Sequence, residues 1–317
     1  MKISNQTLTK LVHGAVQSVS KGKGYVVYYR CTDEQINHLK EVDSFLYDRT
    51  FFSASITIEF STDATSFGFD HKIFSVGSLD SYDVYVNGTP YDFISLEENK
   101  DKSSIEINLP EGNKNVVLYL PCDSEVGIKN FHIEGKWKKT ARRREKMICY
   151  GDSITQGYGS LISSLTYINA MNRQLNYEIV NHGIGGYWFD EGMIVNIDNF
   201  YPDRIVISLG TNQLWSSDKY DRIDKFFDKL SRVYPNVKTV VITPIWRSDK
   251  LDGDELIQDM KNYLFKVCSN YQNIHVIDGY ELVPHIEYYY LDKLHPNGFG
   301  MDIYGVNLAN KIKKIKW

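Results

Sequence analysis

No apolar run in this 317-residue chain approaches the length of a membrane span, and the opening MKISNQTLTKLVHGAV lacks the apolar core of about 7 to 15 residues that a secretory leader needs. Both absences point to a cytoplasmic protein with no membrane partner. Cysteine is scarce: Cys31, Cys122, Cys149 and Cys268 stand far apart with no C-x-x-C spacing. That excludes a clustered thiolate zinc site and reads as four reduced core residues. An excess of basic charge is missing too, since the formal net charge is -4. A general nucleic-acid binder would usually show a strongly basic face, so no nucleic-acid partner is expected. Internal repeats and low-complexity segments are absent.

What is present is the composition of an ordinary globular protein, 42% hydrophobic and 24% charged. The length accommodates two domains, each with its own core. Aromatic residues are abundant, with 23 Tyr and 5 Trp. On a surface such rings can stack on sugars, although most belong to a core or its rim.

To about residue 135 the chain runs in short period-two segments. Ala54, Ile56, Ile58 and Phe60 alternate with polar residues, as do Ile105, Ile107 and Leu109, which gives each segment one apolar face. DVYV and TPYDFI flank Asn87-Gly88, the dipeptide that best tolerates the positive backbone angles of a two-residue hairpin. GYVVYYR, VVLYLP and GIKNFHIEG add further strands, and DEQINHLKEV is the one helical insert. The pattern predicts a β-sandwich of jelly-roll type over residues 1–135. The basic run KWKKTARRREK, residues 136–146, reads as a solvated linker between domains.

From residue 147 the periodicity changes. MICY, YEIV, RIVISL, TVVITPI and IHVID are strand-length apolar runs without alternation, as expected for a parallel sheet covered on both faces. Between and after them lie helical stripes, among them Ile223, Phe226, Phe227, Leu230 and Val233, then Leu256, Met260, Leu264 and Val267, then Met301, Tyr304, Leu308 and Ile312. Residues 147–317 are therefore expected to form a three-layer α/β/α domain on five parallel strands, with ligands bound outside the strands' carboxyl ends.

The polar motifs fall at those ends. GDSITQG places Ser153 at a strand-to-helix turn, where the following N–H groups are free to bind an anion. NHGIGG, residues 181–186, is a glycine-rich turn whose backbone can approach a substrate closely, and SLGTNQ brings the Asn212 amide to the same rim. DKLHP sets Asp292 three residues before His295, a spacing that lets the acid hold the imidazole while its other nitrogen faces Ser153. Taken singly, Ser153 reads as a helix cap, Asn212 as a loop amide and His295 as a surface histidine. Together they offer candidates for a nucleophile, an oxyanion donor and a base. His285 is the rival base, though its acidic neighbour Glu287 lacks the D-x-x-H spacing, and His182 reads as packing beside the glycine turn.

These four blocks, in this order, resemble the SGNH hydrolases of the GDSL esterase superfamily over about residues 146 to 317. The resemblance implies that Ser153 is the nucleophile and that Asp292 and His295 complete its triad. It also implies an oxyanion hole formed by the Ser153 and Gly186 N–H groups with the Asn212 amide. One departure is Gln213, where many relatives carry Asp. A sandwich ahead of such a domain is similar to two-domain carbohydrate esterases, which implies removal of acetyl groups from sugar hydroxyls without metal or cofactor. Candidate walls for a small-molecule or oligosaccharide substrate are Tyr187, Trp188, Trp215, Trp246 and Arg247, all just past strand ends; packing accounts for each of the four rings equally well. A short-chain lipid esterase or thioesterase is the alternative within the same chemistry, and a sugar-binding protein with a vestigial hydrolase half is the alternative outside it.

Overall fold

The computed structural model describes residues 2–250 and 254–315. In the N-terminal half, two antiparallel sheets share one core. The first runs in the order Gln17–Lys21, Tyr25–Tyr29, Ser124–Ile133, Ser66–Val76, Ser104–Asn108, and the second Val12–His13, Thr57–Thr62, Lys114–Tyr119, Ser81–Val86, Thr89–Ser95. The alternation read from the sequence is what fills the space between them. Ile58, Phe60, Val84 and Leu118 point inward from one sheet, Val26, Phe67, Phe69 and Ile128 from the other, and all eight are buried. Asn87 and Gly88 take φ of 52° and 80°, the left-handed pair that closes the hairpin between Ser81–Val86 and Thr89–Ser95.

The basic stretch 136–146 is only partly a solvated linker. Trp137–Lys139 pairs with Thr57–Thr62 as a further strand, because its backbone has an open sheet edge to satisfy. Arg143 turns inward, bonding Glu59 at 2.8 Å, while Arg142 meets Glu178 at 2.7 Å. His13 closes the group on the Glu178 carboxylate at 2.8 Å. Burial pushes the Glu178 carboxyl up, but His13 and Arg142 outweigh it and hold the group at about 2.

In the C-terminal half five parallel strands run in the order Glu178–Gly183, Lys146–Gly151, Arg204–Ser208, Lys238–Ile242, Ile274–Ile277. Helices Lys219–Val233 and Glu255–Cys268 pack their apolar stripes on one face, and Tyr167–Leu175 and Gly298–Lys314 on the other. On the second face Tyr167 and Tyr304 stack at 4.1 Å, 7° from parallel. Among the described residues, no helix is long and apolar enough to cross a membrane. All four cysteines are free and buried.

The helical insert behaves unlike the rest of its half. Thr32 and Gln35 form a reciprocal capping box that starts Asp33–Val42, and Asp43 caps a second helix, Ser44–Arg49, which the sequence reading did not find. Leu39 and Leu46 from these helices join the core of the parallel sheet rather than that of the sandwich. Burying a leucine is worth about 1.5–3 kcal/mol, so the insert is held against the C-terminal half. Behind it Arg30, with 0% exposure, spends its guanidinium on three carbonyls: Phe52 at 2.8 Å, Arg49 at 2.8 Å and Asn181 at 2.7 Å.

Candidate active site

In the strand order of the parallel sheet, the first strand in sequence lies between the second and third, so the chain leaves Gly151 and Ser208 towards opposite faces and a crevice opens at their carboxyl ends. Ser153 begins the helix Ser153–Gln156 at that crevice. Asp152 caps the helix by accepting from the Ile154 N–H at 2.9 Å. Burial lifts the Asp152 carboxyl to about 7, against the pull of the N–H groups it accepts from and of the Arg247 charge. Gly157 ends the turn in the left-handed region at φ 111°. The next strand approaches so closely that a side chain on Gly183 would come within 2.3 Å of the Gln156 nitrogen. Glycine there is a packing requirement of the serine turn.

Ser153 Oγ lies 2.9 Å from His295 Nε2, and His295 Nδ1 lies 2.8 Å from Asp292 Oδ2. The other oxygen of Asp292 accepts the Leu294 and His295 backbone N–H groups, each at 2.7 Å. Burial raises the Asp292 carboxyl; those two N–H groups and the imidazole outweigh it and hold it below its ordinary value. An ionised Asp292 fixes the proton on Nδ1 and leaves Nε2 to accept from the serine hydroxyl. Tyr158 packs edge-on against the imidazole at 4.7 Å, which limits its rotation.

Asn212 donates through Nδ2 to the Tyr187 carbonyl at 2.9 Å, which ties the amide to the turn that carries Gly186. Gly186 adopts φ 82°. Among the described residues the Ser153 and Gly186 N–H groups have no acceptor, so both remain available to an anion. Gln213, the departure noted above, is buried and braces this rim, accepting from the Phe189 N–H at 2.7 Å and donating to the Lys219 carbonyl at 3.3 Å.

The expected substrate walls divide. Tyr187 is 1% exposed and lies in the core, so it offers no surface to a ligand; the tight turn after Gly186 points its ring inward. Trp188 packs against the same core with Arg222 over its ring, and Trp246 is sandwiched by His285 at 5.4 Å and Tyr290 at 5.1 Å. Arg247 is buried, held on Asp249 and Thr211, so its charge is already engaged. Trp215 alone of the five is open, at 60% exposure, with Lys250 above its ring. His285 bonds the Tyr280 carbonyl, and His182 is fully buried between Arg30 and Gln35, its imidazole pushed down to about 3 by burial and the Arg30 charge.

Sequence reasoning missed the contribution of the N-terminal half. Asp123, from the sandwich, accepts from the Gln156 amide in the serine helix, and the other end of that amide accepts the Gly185 N–H at 2.8 Å. Asp80 accepts the Cys122 and Asp123 N–H groups and the Ser163 hydroxyl. No motif marks either aspartate: each lies in a connection just before a strand, and its partners are far away in sequence.

The five-stranded parallel sheet between two helical layers is the fold of the SGNH hydrolases. Residues 149–303 match the family model of the GDSL-like lipase/acylhydrolase family, and this stretch is a GDSL-like domain. A search of curated protein sequences finds no match. Solved structures with the same fold include a salicylyl-acyltransferase, SsfX3, from a tetracycline biosynthetic pathway, 18% identical with a TM-score of 0.82 over 99% of this chain and 97% of that one. A GDSL-like lipase structure from Bacteroides ovatus gives 19% identity and 0.78 over 99% and 97%. A family two carbohydrate esterase from Clostridium thermocellum, solved with cellohexaose, gives 18% and 0.64 over 83% and 93%.

Proposed function

We propose that this protein is a serine esterase that hydrolyses small acyl esters of carbohydrates, foremost acetyl esters, through an acyl-enzyme. The observation that carries the reading is the continuous Ser153–His295–Asp292 contact at the mouth of the crevice. His295 takes the Ser153 proton as Oγ attacks the ester carbonyl, and Asp292 stabilises the imidazolium that forms. The Ser153 and Gly186 N–H groups and the Asn212 amide receive the oxyanion. His295 then protonates the departing sugar hydroxyl, and water repeats the cycle on the acyl-enzyme. The chemistry asks for no metal or cofactor.

The carbohydrate assignment draws on the family two carbohydrate esterases and an acetyl xylan esterase from Butyrivibrio proteoclasticus that share the fold. The sandwich strand order, in which Tyr25–Tyr29, Ser124–Ile133, Ser66–Val76 and Ser104–Asn108 face Thr57–Thr62, Lys114–Tyr119, Ser81–Val86 and Thr89–Ser95, supports a jelly roll over residues 1–135. Four free, buried cysteines are compatible with the reducing cytoplasm. A second reading, a short-chain lipid esterase or thioesterase, draws on exposed Leu291 in the histidine turn.

Acetate release from a panel of acetylated sugars, set against p-nitrophenyl esters of increasing chain length, tests the assignment. Faster turnover of the sugar esters supports it, and a preference for longer acyl chains favours the second reading. No turnover on any ester, with Ser153→Ala binding sugar as well as wild type, would replace both with a sugar-binding protein.

A further inference from the structure

The helix Ser44–Arg49 places one cation and one ring on the wall of the serine crevice. The Arg49 guanidinium lies flat on the Phe45 ring, 3.3 Å from its centroid. Both side chains press on the glycine turn: a side chain on Gly185 would meet Arg49 Cδ and Nε at 2.9 Å, and one on Gly186 would meet the Phe45 ring at 3.2 Å. The Gly185-Gly186 turn thus leaves room for this pair beside the N–H that faces the crevice. The Arg49 charge is also felt by Tyr158, the residue packed on His295. Arginine and ring therefore stand next to the anion-binding turn, one residue removed from the base through Tyr158.

The guanidinium has spare capacity. Among the described residues its one hydrogen bond is from Nη1 to the Phe45 carbonyl at 3.0 Å, within its own helix. Among the described residues no carboxylate lies within 4.0 Å of it. Asp123 is the principal compensating charge, and its two oxygens already serve Gln156 and Ser78. By contrast Arg247, the other arginine near the crevice, is doubly bound to Asp249. A half-buried, stacked guanidinium with an open fork of donors is built for a planar or tetrahedral anion. Phe45, 51% exposed, leaves part of its ring for the apolar face of a sugar.

We propose that Arg49 and Phe45 form the recognition shelf for the alcohol portion of the substrate, and that the esters this site selects carry an anionic group on that portion. The inference rests on the esterase reading and adds the substrate class to it. Two sources of the anion, a uronic carboxylate and a sugar phosphate, share this chemistry.

The test compares kcat/KM for O-acetylated glucuronate, O-acetylated glucose 6-phosphate and O-acetylated glucose, in wild type, Arg49→Met and Arg49→Lys, with p-nitrophenyl acetate as a reference. Wild type is expected to favour at least one acidic ester over the neutral one by about tenfold or more, as a charge-assisted hydrogen bond should give. The preference should shrink as salt is added. Arg49→Met should bring the ratio near one, with Arg49→Lys in between; which acidic ester leads identifies the anion. Equal or better turnover of the neutral ester by wild type overturns the proposal. So does an Arg49→Met variant that lowers acidic and neutral esters in the same proportion, since that reports packing. If no ester at all is hydrolysed, p-nitrophenyl acetate included, the esterase reading fails on its own. Calorimetry of glucuronate against glucose on Ser153→Ala then decides the shelf separately, with binding of glucuronate no tighter than glucose counting against it.

Discussion

Arg30 Nη1 donates to the carbonyl of Asn181 at 2.7 Å, joining the sandwich to the strand that leads into the glycine turn. The same guanidinium holds Phe52 and Arg49, so one side chain fixes the recognition helix, the sandwich and the hydrolase sheet in a single geometry. Arg30→Met would leave three carbonyls without this donor. At about 1–3 kcal/mol for each buried acceptor left unmet, the loss should be about 3 kcal/mol or more. Urea denaturation measures it, and a loss below about 1 kcal/mol would show that the contact is dispensable.

Under the proposed mechanism Asn212→Ala removes one donor to the oxyanion, along with the bond to the Tyr187 carbonyl. The barrier should rise by about 3 kcal/mol, so kcat should fall roughly 100-fold or more with KM little changed. A matching rise in KM with kcat intact would assign Asn212 to ground-state binding instead.

Asp292→Asn should lower kcat by about 10⁴ while leaving the fold intact, because the amide no longer holds the proton on His295 Nδ1. Side-chain exposure of Asp292 is 47%, so little stability is at stake. Stopped assays on p-nitrophenyl acetate, with thermal melts alongside, separate the two effects. A variant within tenfold of wild type would remove Asp292 from the mechanism.

Stability should fall as pH rises from about 5 to 8. Burial lifts the Asp80 carboxyl to about 7, Asp152 to about 7 and Asp123 to about 6, and the extra protons these three hold in the folded chain outweigh those that His182 and His71, kept neutral by burial, take up only when unfolded. Protons are then lost more readily on unfolding, and each step up in pH favours the unfolded state. Glu178 acts in the opposite sense: its contribution is fully present above its ordinary value and is lost only as pH falls towards about 2. Melting temperatures across this range, with Asp80→Asn in parallel, provide the check. The variant should show a flatter profile, and an unchanged slope would exclude Asp80 as a source.

Much of this arrangement was legible in the residues. The five strands, the stripes of Ile223 to Val233 and Met301 to Ile312, and the meeting of Ser153 with His295 follow from apolar periodicity and from motifs fixed at strand ends. Those signals are local in sequence, and each strand end feeds the same crevice. The rim was less legible because exposure is a property of the whole fold: Tyr187 and Trp215 look alike in sequence, yet one ring is interior and the other open. Arg49 and Asp123 were invisible as site residues for a different reason. Their partners, Gly185 and Gln156, lie far away in the chain, and nothing around either residue records a long-range contact.

The serine helix is held from outside as well as from within: Asp123 grips Gln156, and Arg30 grips the neighbouring strand. The two halves are therefore not interchangeable parts. A catalytic half grafted onto another sandwich, or produced alone, would carry the nucleophile but lose the struts that aim it. Variation that retunes substrate choice is expected to accumulate at Phe45 and Arg49, which touch the glycine turn without bearing the proposed chemistry. The sandwich thereby holds the Phe45–Arg49 pair in place beside the turn that Ser153 faces.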